Sequence, residues 1–153
     1  MANFIRSLLN GVVFSKVIPY TSANNTGTTT STAVDCAGAE GVLFIVDLGT
    51  VSTGGLATCK LQQSSDDAST DAYSDIEGSE LVNIGDASTI KQMLIEVINP
   101  QKRYIKLLIT RSVGNVVIDG AIAATFGHKA EAVTQGATVD GSLQLVAPAE
   151  GTA

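Results

Sequence analysis

The chain has 153 residues, a formal net charge of −6 and only 16% charged side chains. That length suits one domain with a core of its own, and the acidic balance argues against direct binding to nucleic-acid phosphates. The apolar fraction of 44% includes four Phe, three Tyr and no Trp; with fifteen Gly and many Thr and Ser it fits an all-β domain with polar loops.

Residues 1–13 read as an N-terminal arm. Over residues 2–13, Ile5, Leu8, Leu9 and Val12 share one side of a short amphipathic helix, which Gly11 weakens by ~1 kcal/mol relative to Ala. A helix this short needs a surface to pack on, either on its own domain or on another subunit. The arm lacks the clean apolar run and small-x-small site of a secretion signal. No stretch reaches the ~18 uninterrupted apolar residues of a membrane span, so a soluble protein of a reducing cytoplasm is expected, with no membrane partner.

Residues 14–128 read as the folded domain. Phe14 to Tyr20 opens it, Asn24-Asn25-Thr26-Gly27 is a turn signal, and the following Thr run enters a strand ending at Cys36. Asn24-Asn25-Thr26 also matches the glycosylation acceptor pattern, which without a secretion signal is a chance match. Val42 to Leu48 is apolar on both faces, Val42, Phe44 and Val46 on one and Leu43 and Ile45 on the other, which places it centrally in a sheet. Gly49 to Gly55 is a loop. Leu56 to Ser64 alternates Ala57, Cys59 and Leu61 with Thr58, Lys60 and Gln62. Cys36 and Cys59 both fall on apolar strand faces and read as buried free thiols rather than a disulfide framework.

Residues 65–80 are the most polar segment. Asp66, Asp67, Asp71, Asp75, Glu77 and Glu80 are the oxygen ligands calcium prefers, but their spacing is not that of an EF-hand, and a solvated loop is the plainer reading. Tyr73 is the lone aromatic there, either a small stacking platform or a ring packed back onto the sheet. Leu81 to Ile84 is a short strand. Two further strands flank the turn Asn99-Pro100-Gln101-Lys102; on the second, Ile105, Leu107 and Ile109 face one way and Tyr104, Lys106, Leu108 and Thr110 the other. Lys102, Arg103 and Lys106, with Arg111 further on, form the one cationic gathering and read as a solvated strand face. Val116 to Phe126 places Val116, Ile118, Ile122 and Phe126 on one face, with Gly120 at a bulge or close backbone approach.

Residues 129–153 change composition to Ala, Gly, Thr and Pro, and read as an irregular tail whose Leu143 to Val146 piece could add to a sheet edge. Seven or eight strands separated by turn signals predict a single all-β sandwich of jelly-roll or Greek-key kind. The only histidine, His128, ends the last strand and reads as a surface residue. No serine sits in a G-x-S-x-G elbow, and no phosphate loop or zinc-spaced His/Cys cluster occurs. The reading is therefore non-enzymatic, without cofactor or metal.

The run CKLQQSSDDASTDAYSDIEGSE, followed by MLIEVINPQKRYIKLLITRS, resembles capsid decoration (cement) proteins of tailed bacteriophages: a strand ending in a Gln-Ser-Asp loop, an aromatic-Ser-Asp-Ile step, then strand-turn-strand. The likeness spans roughly residues 14 to 128, and Tyr73 stands where Trp is commoner. The resemblance implies a jelly-roll homotrimer on the outer head surface of the virion. There it would clamp neighbouring subunits of the major capsid protein at a three-fold or quasi-three-fold point, several modest contacts acting together. It implies no catalytic residues. Phe4, Ile5, Leu8 and Leu9 are the candidate capsid-facing or subunit-facing contacts. The rival reading is a carbohydrate- or receptor-binding jelly-roll module of a phage fibre or appendage, with exposed aromatics and calcium dependence around Tyr73.

Overall fold

The computed structural model describes residues 7–83, 91–129 and 132–144. Phe4 and Ile5, the last residue of the expected Leu81 to Ile84 strand, and the second half of the Leu143 to Val146 piece lie outside the described residues. The rest is built almost wholly of strands: β1 (Val12–Ile18), β2 (Thr21–Asn24), β3 (Thr28–Thr30), β4 (Val34–Asp35), β5 (Gly41–Val51), β6 (Gly55–Ser64), β7 (Ser74–Asp75), β8 (Leu81–Val82), β9 (Lys91–Ile98), β10 (Tyr104–Val113) and β11 (Val116–Phe126), after one helical turn, α1 (Leu8–Gly11).

These strands form two antiparallel sheets packed face to face, a β-sandwich as expected. The first runs β1-β11-β5-β9, with β2 also on β11; the second runs β3-β10-β6-β7, with β4 on β10 and β8 on β6. The chain passes back and forth between them: β1 and β2 in the first, β3 and β4 in the second, β5 back in the first, β6 to β8 in the second, then β9, β10 and β11 alternating. The Asn99 to Lys102 turn therefore does not pair the strands it joins. It carries the chain from β9 in the first sheet to β10 in the second.

Period-two alternation builds the core. Val42, Phe44 and Val46 of β5, Ala57, Cys59 and Leu61 of β6, and Ile105, Leu107 and Ile109 of β10 are all fully buried. Met93 and Ile95 join the same cluster from β9. β5 is central, between β11 and β9, as its two apolar faces imply, but it extends through Gly49 to Val51 where a loop was expected. Both cysteines are free and buried; burial pushes the Cys36 thiol up to about 11 and the Cys59 thiol up to about 12, so both stay protonated and unreactive in the native protein.

Three further expectations are corrected. In β11 the register shifts twice between Val116 and Gly120. This bulge reverses the alternation: Val116 and Ile118 face the core, but beyond it Ala121 and Ala123 point inward, while Ile122 is 36% exposed. The four apolar residues expected on one face are thus split between two. Gly120 sits at the bulge, where a Cβ would lie 3.1 Å from the Ile18 carbonyl oxygen. The second correction concerns the arm. Its helix is a single turn among the described residues, and Val12 and Val13 already belong to β1, because β-branched residues at the sheet edge gain more from pairing with Phe126 and Thr125 than from a marginal helix.

The third correction is Arg111, read as part of a solvated cationic face. It keeps the inward phase of Ile105, Leu107 and Ile109 and is only 6% exposed. Its Nη1 donates to the Ser22 carbonyl at 2.8 Å and the Val116 carbonyl at 3.4 Å, and its Nη2 to Thr29 Oγ1 at 3.4 Å. The guanidinium thus ties β2, β3 and β11 together at one end of the sandwich, where backbone carbonyls replace apolar side chains. Arg111→Ala should lower unfolding stability by about 1–3 kcal/mol by stranding buried carbonyls, read from the urea midpoint; an unchanged midpoint would show that these carbonyls find water instead.

Candidate functional site

Two surfaces stand out, one on each outer sheet face. On the second sheet, the polar loop folds back over the strands. Asp66 accepts hydrogen bonds from the Thr70 backbone N–H at 2.7 Å and the Thr70 hydroxyl at 2.5 Å. Asp71 accepts from the Ser65 backbone and hydroxyl, each at 2.8 Å, and pairs with Lys102 at 2.7 Å. Lys106 lies 4.1 Å above the centre of the Tyr73 ring, whose hydroxyl donates to Asp67 at 2.5 Å. Arg103 grips Asp35 through two nitrogens at 2.8 and 2.6 Å.

The cationic gathering is therefore neutralised residue by residue: Lys102 by Asp71, Arg103 by Asp35, and Lys106 by Asp67 at 3.5 Å and by the Tyr73 ring. Tyr73 packs back onto the sheet, with one face under an ammonium group. Among the described residues no group of three or more His, Cys, Asp or Glu side chains is placed to hold a metal ion. Asp66 and Asp71 spend their lone pairs on the loop's own backbone and on Lys102. His128, half-buried after β11, meets Thr125 Oγ1 at 2.9 Å.

On the first sheet the outer face is apolar. Register places Ile122, Ile45 and Leu94 in one row across β11, β5 and β9, and Phe14, Ala124 and Leu43 in the next. A third row is Val12, Phe126, Gly41 and Ile98; a Cβ on Gly41 would lie 2.5 Å from the Phe126 ring, so bare backbone leaves room for that ring. Leu94 is 58% and Ile98 64% exposed. Lys16, Asp47, Gln92 and Glu96 surround these rows, and Gln92 donates to Asp47 at 2.7 Å. An apolar patch rimmed by polar side chains is the form of a contact surface.

Of the residues expected to make contacts, Leu8 is 65% exposed and Leu9 half-buried in the turn preceding Val12, at the end of the outer face that carries Phe126. The sheet-face residues Leu43, Ile45, Leu94, Ile98 and Ile122 were not singled out from sequence. The two-faced apolar character of β5 was the available signal: it fixed a central position without saying what covers the second face. No helix among the described residues is long and apolar enough to cross a membrane. A scan against protein-family models finds no match to this sequence, and a search of curated proteins finds no relative.

The acidic loop sets a pH dependence. The Lys102 ammonium beside Asp71 holds its carboxyl down to about 2. Arg103 lowers Asp35, the Thr70 hydroxyl lowers Asp66, and Lys60, 2.8 Å away, lowers Asp75. Carboxyls lowered in the folded state contribute stability above their unfolded value near ~4, and that contribution is lost as pH falls toward the folded value. Thermal stability should therefore fall between about pH 4 and pH 2, and Lys102→Met should flatten that fall; identical acid profiles for the two proteins would sink this account.

Proposed function

We propose that this protein is a non-enzymatic virion component that decorates the icosahedral head of a tailed phage as a homotrimer, bridging subunits of the major capsid protein from the outer surface. The observation that carries the reading is the apolar outer face of the first sheet, centred on Ile45, Leu94 and Ile122. A sandwich that worked alone would gain nothing from holding Leu and Ile side chains in water. Covering the exposed part of Leu94 would contribute about 1–2 kcal/mol, and Ile45 and Ile122, already partly covered, would add less.

The resemblance of residues 59–80 and 93–112 to decoration proteins supports the same reading. So does the strand order: two sheets of four main strands, wired by repeated crossings from β4 onward, fit the jelly-roll form of the sandwich. On the other outer face Lys60, Lys102, Arg103 and Lys106 are each paired with a carboxylate, so the apolar face is where a partner gains most. The net charge of −6 favours a protein partner over nucleic acid. Leu8, next to the Val12 end of that face, extends the contact surface.

Light scattering on a sizing column should give three times the 15.7 kDa chain mass, and the protein should cosediment with heads assembled from the major capsid protein of the same virus. Replacing Leu94 and Ile98 together by Glu should reduce self-association or head binding at least tenfold while leaving the thermal melt nearly unchanged, since both side chains are exposed. Undiminished assembly and binding by that variant would overturn the role of this face, and absence of head binding by the unaltered protein would overturn the decoration reading.

A further inference from the structure

Strand β1 is an edge of the first sheet. Its residues Val13 and Ser15 face β11, so the polar backbone groups of Val12, Phe14 and Lys16 point outward, where an unpaired edge invites another strand. Residues 132–139 lie along this edge as a strap. The Val133 N–H donates to the Asn10 carbonyl at 3.1 Å, and the Gly136 N–H to the Phe14 carbonyl at 3.2 Å. The Phe14 N–H donates to Gln135 Oε1 at 3.0 Å and the Lys16 N–H to Thr138 Oγ1 at 2.7 Å. Gln135 Nε2 donates to the Leu9 and Val12 carbonyls at 3.0 and 2.8 Å. Strap and strand advance in the same direction, and the edge groups of Val12, Phe14 and Lys16 just named are satisfied.

The seat is specific but weakly held. Gln135 and Thr138 use side chains where a true strand would use backbone, and no residue from 132 to 139 is buried. Segments with few buried apolar contacts open at low free-energy cost. The fit is also tight at one point: a Cβ on Gly136 would clash with Ser15 Oγ and lie 2.5 Å from the Phe14 carbonyl oxygen. Between Phe126 and the strap run residues 127–131, whose extended reach is roughly 16–18 Å.

We infer that the β1 edge is a strand-docking interface between copies of this chain, and that its occupant is the 132–139 strap of a neighbouring copy. Every contact above is available unchanged in trans, because the exchanged segment is identical, so exchange costs only the path of the linker. One copy's strap on the next copy's β1 is a head-to-tail contact, which closes into a ring when the rotation permits. The inference rests on the self-assembly in the reading above but not on the capsid partner.

The test uses full-length chains and a disulfide trap. Cys36 and Cys59 are buried and leave the surface free for new thiols. A Lys16→Cys/Thr138→Cys double variant reports whether strap and edge meet as described. Mixing the Lys16→Cys chain with the Thr138→Cys chain reports exchange. The expected result is a disulfide-linked heterodimer in the mixture, lost when Gly136→Ala is added to the Thr138→Cys chain. Bridging in the double variant with no heterodimer in the mixture would overturn the inference and leave the strap a cover for its own edge. No bridging in either would overturn the strap geometry itself. A native trimer without exchange would remove this inference alone, whereas a strict monomer would remove the self-assembly it rests on as well.

Discussion

The structure depends on two apolar sheet faces being held against one another, β5 from one side and β10 from the other. Phe44, Val42 and Val46 share a single core with Ile105, Leu107 and Ile109, and strict alternation leaves no register freedom. A slip by one residue in β10 would bury Lys106 and expose Leu107. The positions of the remaining strands follow from this. β6 pairs with β10 over its full length, and β11 fits between β1 and β5 only because the bulge near Gly120 corrects its phase. Without that correction Ile122 would be driven into a space that Ala121 and Ala123 fill with far less volume.

At its margins the sandwich is closed by polar groups rather than by more core. Arg111 ends the inward row of β10 by gripping carbonyls of two neighbouring strands. Asp71 and Lys102 hold the long polar loop down, and Tyr73 lies beneath Lys106. Gln135 performs a similar task on the opposite edge, meeting three backbone groups at once. These closures differ in accessibility. Arg111 is shielded from water, which makes it a structural tie, whereas the polar loop is solvated and its ion pairs respond to pH and ionic strength; the strap is solvated too, but is held by uncharged groups.

The two outer faces have opposite characters. On one, Lys60, Lys102, Arg103 and Lys106 each meet a carboxylate. On the other, Ile45, Leu94 and Ile122 stand in a row with polar residues around them, and the free energy of covering that row remains available for association. The proposed role as a contact protein rests on the area and shape of this second face and on the edge groups of β1. Both thiols are raised by burial.

The sequence alone determined the sandwich, the inward residues of β5, β6 and β10, and the burial of Cys36 and Cys59. These follow from period-two patterning and turn chemistry, which are local properties. It also carried the sign of Arg111's burial, since position 111 continues the inward series of Ile105, although its charge argued the other way. The reversed phase of β11, the seating of residues 132–139 on β1 and the apolar outer face were decided only by tertiary structure. Each depends on which strands become neighbours. A bulge shows itself when a partner fixes the register, an edge needs a cover only once its other side is paired, and Leu94 and Ile122 form one surface only when β9 and β11 flank β5.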